Sequence, residues 1–571
     1  MNNPIELIVD VNAQTVTKGM TKAFEKTVKD SGIELKMIPL DSPSSMKSKG
    51  ESKKKQAAKF LVSSKVNEGE IHPWDLAQMV QSQQKKNFSF TEPDMDNIMV
   101  YGEQKSAANH KSFLKSPEDT PPDTSWDPDW MPHENRIWHL DDRFSQLGSA
   151  QKAVDGLNTG DIRIAHFDTG FDGDGHITQP PNLELNLQHC FRKGEDPTSA
   201  ADITPHVKTN MPGHGTATLA LLAGNKIKAG AGFNDFIGGA PFAKVVPMRI
   251  SNCVVLDGGI TTIFKTSSFY AAMRYMLDLH DAGTAFHVLS MSMGGVAAKS
   301  WADVVNEAYE KGITLVTAAG NNFGGFPTRH LVYPARFNRV LAAAGVTFEY
   351  KPYYISKITE MQGNYGPEDL MDTAISAFTP NTPWALMGTR NLVSFSGAGT
   401  SSATPQVAAT AACIWKKFKP QLDALSGWQK VEAVRKIMFD TARTNFAGYS
   451  KLKFGMGVIQ ANDAVSATFP NAGSLKMAAA DKVRSFYIDL LSGMFKALPT
   501  GKQAPKIPFD KNLLNLELTQ LIQQDMKLEA KIESLKIPKN NTRANQKKIV
   551  EQIIESRKAS NTLKLYLKGL L

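Results

Sequence analysis

Three short stretches of this sequence place residue types where they could do chemistry together. In IRIAHFDTGFDG an apolar run ends at Asp168, followed by Thr169 and Gly170. In GHGTATLALLAG, His214 stands between Gly213 and Gly215 at the opening of a helical pattern. Flanking glycines let the backbone turn tightly and keep the ring accessible. In FSGAGTSSATPQVAATAACIWKKF, Gly397, Gly399 and Thr400 lead into Ser401, and Ala403 to Trp415 is small and apolar enough for a buried helix. Taken singly, each residue has an ordinary structural use: an Asp after a strand or a Ser before a helix is a cap, and a lone His packs. Taken together, a carboxylate, an imidazole and a hydroxyl are the parts of an activated nucleophile. The imidazole takes the hydroxyl proton, and the carboxylate orients the ring.

Such residues need a rigid frame, and the chain supplies one from about Asp161. Short apolar runs (Ile162 to Phe167, Val245 to Ile250, His287 to Met291, Thr314 to Ala318, Val340 to Val346) alternate with helical segments such as Ser267 to Asp281 and Ala302 to Lys311. Strands that are apolar throughout, separated by helices, indicate an α/β domain with a mainly parallel central sheet covered on both faces. Open sheets of this kind carry their sites at the strand ends, where all three motifs fall. This domain is assigned to residues 136–468.

The flanks read differently. Ile5 to Val11 reads as a strand, Thr17 to Lys29 as a helix and Ile33 to Leu40 as a second strand, giving a small α/β unit over 1–40. Residues 41–135 are expected to be a flexible basic linker and connector. Its first part is DSPSSMKSKGESKKKQ, and Lys59 to Gln84 is read as two short helices. Trp126, Trp130 and Trp138 are expected to pin the connector onto the larger body. Over 469–571, Leu514, Leu518, Leu521, Leu528, Ile532 and Leu535 follow a three-and-four spacing broken by Pro538, which predicts a helical extension.

Asp, His and Ser occur here in one of the three unrelated chain orders known for this constellation. DTG around Asp168, GHGT around His214 and GTSSATPQVA around Ser401 closely resemble the signatures of the subtilisin-like serine proteases, the subtilase family. The resemblance extends over about Leu140 to Val465. It implies a subtilisin-like three-layer fold and a serine endopeptidase, with Ser401 as nucleophile, His214 as general base and then acid, and Asp168 as the orienting carboxylate. LSMSMGG resembles the substrate-binding strand, which implies that Ser292, Met293, Gly294 and Gly295 hold the peptide backbone. TAAGNN resembles the oxyanion segment, which gives Asn321 that role. Many members of the family also carry an N-terminal propeptide, so the start of this chain is expected to act as an intramolecular inhibitory segment.

Departures are visible. Ala217, Thr218, Leu219 and Ala220 stand where the family commonly has His-Val-Ala-Gly, and Gln406 replaces a usual His. FNDFIGGAP looks shortened where many relatives bind calcium, so no cofactor is expected beyond a structural calcium that no motif supports. Asp172 and Asp174 are read as a solvated turn.

Composition bounds the alternatives. The 571-residue chain is 42% apolar and 21% charged, with net charge +9 concentrated in Lys47 to Lys59 and the last sixty or so residues. That distribution fits a basic linker and solvated helix faces better than a nucleic-acid site. No apolar run reaches the length of a membrane span. The first residues do not read as a secretory signal, and three cysteines make a disulfide framework implausible, so a reducing, cytoplasmic setting is expected. A nucleotide-dependent enzyme lacks its phosphate loop. The competing reading is a non-catalytic module of the same fold that binds peptides or serves as a scaffold.

Overall fold

The computed structural model describes residues 4–12, 35–41, 58–67, 69–97, 137–204, 213–229, 233–254, 264–323, 328–353, 361–482, 509–535 and 537–569. The first of its units is a four-stranded antiparallel sheet. It contains β1 (Pro4–Val11), β2 (Leu35–Pro39), β3 (Ala58–Asn67) and β4 (Phe88–Pro93), in the order β2-β3-β1-β4. Helix α1 (Pro73–Gln83) connects the last two strands. Alternate residues of β1 (Ile5, Leu7, Val9 and Val11) meet Trp74, Leu76 and Val80 of the helix in one apolar cluster, as a period of two requires.

Two expectations are corrected here. Lys59 to Asn67 is strand rather than helix, because it finds β1 and β2 on its two edges and pairs with both, although only Phe60, Val62 and Val66 are residues that favour a pleated surface. The folded N-terminal unit also extends through β4, so residues 58–67 and 69–97 belong to it and not to a linker. The expected Thr17 to Lys29 helix, the segment Ser42 to Gln56, and Trp126 and Trp130 lie outside the described residues. Trp138 is fully buried, its indole donating to Asn381 O at 2.9 Å with Phe144 and Phe378 at its edges.

The central sheet has seven strands, all parallel: β6 (Arg163–Asp168), β7 (His189–Cys190), β8 (Lys244–Arg249), β10 (Val288–Met291), β11 (Thr314–Ala318), β12 (Leu341–Val346) and β13 (Ala374–Phe378). Their order is β13-β12-β11-β10-β6-β8-β7. A two-stranded pair, β5 (Asp96–Asn97) with β9 (Phe264–Lys265), joins the N-terminal unit to this body.

Both faces of the sheet are apolar and both are covered. Ile164, Val245, Val288 and Val316 face a cluster that includes helices α5 (Thr400–Asp423) and α6 (Gly427–Asp440). Their neighbours Ala165, Val246, Leu289 and Leu315 face helices α3 (Thr266–Asp281) and α4 (Lys299–Glu310). The layered α/β architecture expected from the sequence is the one observed.

The C-terminal helices α7 (Lys511–Gln523), α8 (Met526–Ser534), α9 (Arg543–Glu555) and α10 (Asn561–Lys568) build their own core. All six leucines and isoleucines of the sequence pattern lie in it. The unit docks on its own chain. Leu513 and Leu516 enter the core of the N-terminal sheet, Asp75 of α1 accepts from Asn561 N and Thr562 N, and Gln520 donates to Ala297 O at 2.8 Å. Among the described residues no helix is long and apolar enough to cross a membrane.

Candidate active site

Asp168 is the last residue of β6, where the sheet ends and a carboxylate can turn toward a neighbouring element. That element is helix α2 (His214–Ala223), whose first residue is His214 and whose N-cap Gly213 has φ 80°. Gly215 must be glycine for a different reason: a Cβ there would lie 2.0 Å from the carbonyl oxygen of Gly170. The close approach of helix and turn puts His214 Nδ1 2.7 Å from Asp168 Oδ1. Thr169 N also donates to Oδ1 at 2.7 Å, and Thr218 Oγ1 donates to Oδ2 at 3.0 Å. Burial by itself would push the Asp168 carboxyl up. The charge and hydrogen bond of His214, with the Thr169 amide, outweigh it and hold the carboxyl below its ordinary value. Trp384 packs edge-on against the His214 ring, with centroids 5.5 Å apart.

Ser401 lies in the first turn of α5, after Gly399 at φ 89°. Pro405, four residues on, has no N–H to give, so the Ser401 carbonyl loses its helical partner. It accepts instead from Ser292 Oγ at 3.0 Å, and Ser401 Oγ in turn donates to Ser292 O at 3.1 Å. Ser292 follows β10, whose Met291 is paired with Phe167 of β6, so this reciprocal clasp sits at the same sheet end as Asp168. His214 Nε2 is buried and has no hydrogen-bond partner. The structure therefore joins Asp168 to His214 and leaves the Ser401 hydroxyl on Ser292 rather than on the imidazole. Hydrogen bonds of this kind are often unmade without substrate.

Asn321 accepts from Thr400 N at 2.9 Å. A backbone amide can only donate, so the Asn321 oxygen is the atom bonded and its NH2 is the group left to donate elsewhere. The expected substrate strand is divided. Ser292 and Met293 are buried beside Ser401, and Gly294 is packed so closely that a Cβ would meet Val332 at 2.3 Å. Gly295 is committed to its own chain: its N–H donates to Tyr333 O, and its carbonyl accepts from Tyr333 N and Gln523 Nε2.

Several residues that hold this site carry no signal in the sequence. Arg249, fully buried at the end of β8, bonds Thr169 O, Asp202 and Glu195. Asp202 then accepts from Gly213 N at 2.9 Å, just before His214. An arginine ending an apolar strand was the one visible hint, because a buried cation must be paired. His166, which no motif marks, and Thr218, visible in the sequence only as a departure from the family pattern, meet on the helix-facing side of Asp168. Gln406 ties α5 to β13 through Phe378 O at 2.7 Å. Asp172 accepts from the amides of Asp174 and Gly388, as a turn residue does.

Among the described residues, His330, Glu529 and Glu533 form the group with metal-ligand character. The two ring nitrogens face different carboxylates, Nδ1 toward Glu529 at 2.9 Å and Nε2 toward Glu533 at 3.6 Å. Arg336 also bonds Glu529, so these contacts join α8 to the body. All three cysteines are buried free thiols, and burial pushes Cys413 up to about 12.

The model of the Subtilase family matches residues 159–457, just over half of the chain. Subtilisin of Bacillus sp. (strain TA39) is 27% identical over 269 residues, which is 45% of this chain and 57% of that protein. The minor extracellular protease Epr of Bacillus subtilis (strain 168) is 27% identical over 330 residues, 57% of this chain and 41% of that protein. Subtilisin DY of Bacillus licheniformis is 26% identical over 220 residues, 38% of this chain and 68% of that protein. The chain thus spans 57% and 41% of the lengths of the first two relatives.

Proposed function

The chain belongs to the subtilase family, and we propose that it is a serine endopeptidase acting on proteins or peptides through an acyl-enzyme on Ser401. The observation that carries this reading is the 2.7 Å bond between His214 Nδ1 and Asp168 Oδ1, made at the sheet end that also holds Ser401. In the reaction Ser401 Oγ turns from Ser292 O to His214 Nε2, loses its proton to the imidazole and attacks the scissile carbonyl. His214 then passes that proton to the leaving amine, and a water repeats the sequence to release the acid. Asp168 keeps the ring in the Nδ1–H tautomer and stabilises the imidazolium. The Asn321 NH2 and the Ser401 N–H donate to the oxyanion, each such donor being worth about 3 kcal/mol in the transition state. Ser292, Met293 and Gly294 bind the substrate backbone. Gly295 is left out of this set, because its backbone groups are already paired.

The proposal includes an N-terminal unit that restrains the enzyme. It is supported by Glu92, which accepts from Lys299 N and Ser300 N at the start of α4, and by Asp94, which accepts from Ser267 N near the start of α3. The strand they lead into brings Asn97 Oδ1 to Val296 N at 2.9 Å, beside the substrate-binding residues.

A fluorophosphonate probe tests the whole. It is expected to label Ser401 in the wild type and in Ser402→Ala, and to leave Ser401→Ala unlabelled, with peptide hydrolysis reduced by several orders of magnitude in the last. A folded chain that is neither labelled nor active, both before and after cleavage of the N-terminal unit, would leave the non-catalytic peptide-binding module as the correct reading.

A further inference from the structure

Behind Asp168, on the side away from His214, lies a chain of hydrogen bonds that the triad itself does not need. His166 Nε2 is 2.9 Å from Thr218 Oγ1, and Thr218 Oγ1 is 3.0 Å from Asp168 Oδ2. His166 and Asp168 are alternate residues of β6, so their side chains share a face. Thr218 is four residues after His214 on α2 and therefore lies one turn below it. All three side chains are fully buried. We propose that His166 and Thr218 are positioning residues, a relay that fixes the orientation of the Asp168 carboxylate so that its other oxygen stays on His214. The inference rests on the peptidase reading above.

The direction of the relay follows from counting protons. A threonine hydroxyl has one proton, and here two acceptors lie in range: Asp168 Oδ2 at 3.0 Å and Gly215 O at 3.2 Å. In either case Oγ1 is left to accept, so His166 must donate from Nε2. The other ring nitrogen of His166 is buried without a hydrogen-bond partner. A bare Nδ1 costs less there than an unmatched N–H, and the opposite tautomer would also take the Thr218 proton away from Asp168.

Burial keeps the His166 ring neutral. It is pushed down to about 4, with Asp168 opposing that shift and His214 adding to it. Asp168 and His214 are the titratable groups facing His166. The strands on either side present Pro247 and Ser290 in register with it, neither of them charged. A neutral donor suits the place, because a second imidazolium would compete with His214 for the same carboxylate.

Without the Thr218 hydroxyl, Asp168 Oδ2 would be a buried carboxylate oxygen with no donor. With less of its charge shared with Thr218, the carboxylate then holds the imidazolium proton of His214 more tightly. A hydrogen bond to a charged group is strong enough for its loss to lower kcat about tenfold.

Thr218→Val removes the hydroxyl at constant shape, and Thr218→Ser restores it. His166→Leu removes the donor, and His166→Gln offers an amide N–H in its place. The valine and leucine variants are expected to lose about tenfold in kcat with KM unchanged, and to move the acid limb of the kcat/KM profile up by about 0.5 pH unit. Serine and glutamine should recover most of the loss. A merely structural role would lower melting temperature without moving the pH limb.

A second measurement needs no turnover. In full-length Ser401→Ala protein labelled with 15N-histidine, His166 should appear at neutral pH with Nε2 protonated and Nδ1 bare, and Thr218→Val should shift the His214 Nδ1 proton. An active wild type matched by Thr218→Val within twofold, with the same acid limb, overturns the relay and spares the peptidase reading. A His166 found protonated on Nδ1 also overturns it. A wild type that neither cleaves nor labels, even after cleavage of the N-terminal unit, sinks the peptidase reading, and the resonances alone then decide whether the relay exists.

Discussion

Gly215→Ala should separate the architecture of the site from its chemistry, because the residue touches neither substrate nor proton. The added Cβ would lie 2.0 Å from Gly170 O and 3.0 Å from Gly170 C and N, all backbone atoms. To reach ordinary contact, helix and turn must separate by roughly 1.5 Å. Gly170 cannot yield: its own Cβ position is 2.3 Å from Ala200 O, and the next residue, Phe171, donates to that oxygen. The displacement must therefore fall on the first turn of α2, which carries His214, and on the Gly215 N bond to Thr169 Oγ1 at 3.0 Å. Overpacking of this kind costs about 1–3 kcal/mol of stability. A misplacement on the order of 1 Å in a reacting group costs about 100-fold in rate. The assay is kcat/KM on a peptide substrate, corrected by fluorophosphonate titration, with thermal melting alongside. Gly448→Ala is the control, since its φ is +81° and nothing lies within 4 Å of the new methyl. It should show mild backbone strain and full activity. If Gly215→Ala keeps activity within about threefold and melts with the wild type, the tight approach is not what sets the His214–Asp168 geometry.

Asn321→Ala should lower kcat by about 100- to 1,000-fold with little change in KM, because its donor matters most as the oxyanion forms. Unchanged turnover with raised KM would contradict the assignment. Glu92→Ala with Asp94→Ala removes carboxylate acceptors from the starts of two helices, which should loosen the N-terminal unit by about 1–2 kcal/mol per cap and raise peptide turnover by the full-length chain. No gain in turnover would count against restraint by that unit. Glu517, which accepts from Ser560 N and Oγ, is pushed up to about 8, first by burial and then by Asp75, from an ordinary value of 4.5. Its contribution to stability is therefore fully present below pH 4.5 and is lost as pH rises through 8. Glu517→Gln should accordingly raise the melting temperature of the C-terminal helices at pH 9 and leave it nearly unchanged at pH 5, an outcome that scanning calorimetry would check.

The central sheet was legible because both of its faces are buried: runs such as Ile162 to Phe167 and Thr314 to Ala318 are mostly apolar, and polar members such as His166, Thr314 and Thr317 are themselves buried. The C-terminal leucines were legible for the same reason, since a period near 3.5 survives in the sequence whatever the helix packs against. Ala58–Asn67 was not. Ser63 and Lys65 face partly outward while Lys59 and Ser64 are buried, and pairing with Pro4–Val11 and Leu35–Pro39, both far earlier in the chain, makes it a strand. Edge β13 escaped notice because ISAF, with its small residues, becomes a strand only beside Leu341–Val346.

At the site, Asp168, His214 and Ser401 stood out because glycines and short motifs frame them, and those motifs describe local turns. What holds them in place is long-range. Arg249 reaches Asp202 across 47 residues and Thr169 across 80, and Thr218 reaches Asp168 across 50. Gln523 reaches Gly295 across 228. None of these pairs leaves a periodic trace, since each is a single polar side chain meeting a single partner. They are detectable only by asking where a buried polar atom finds its hydrogen bond, and that question has no answer until the chain is folded. The same argument explains why the backbone bonds of Gly295 could not be read from its motif: the motif describes a strand end, and the groups that occupy its backbone come from Tyr333 and from a helix at the far end of the chain.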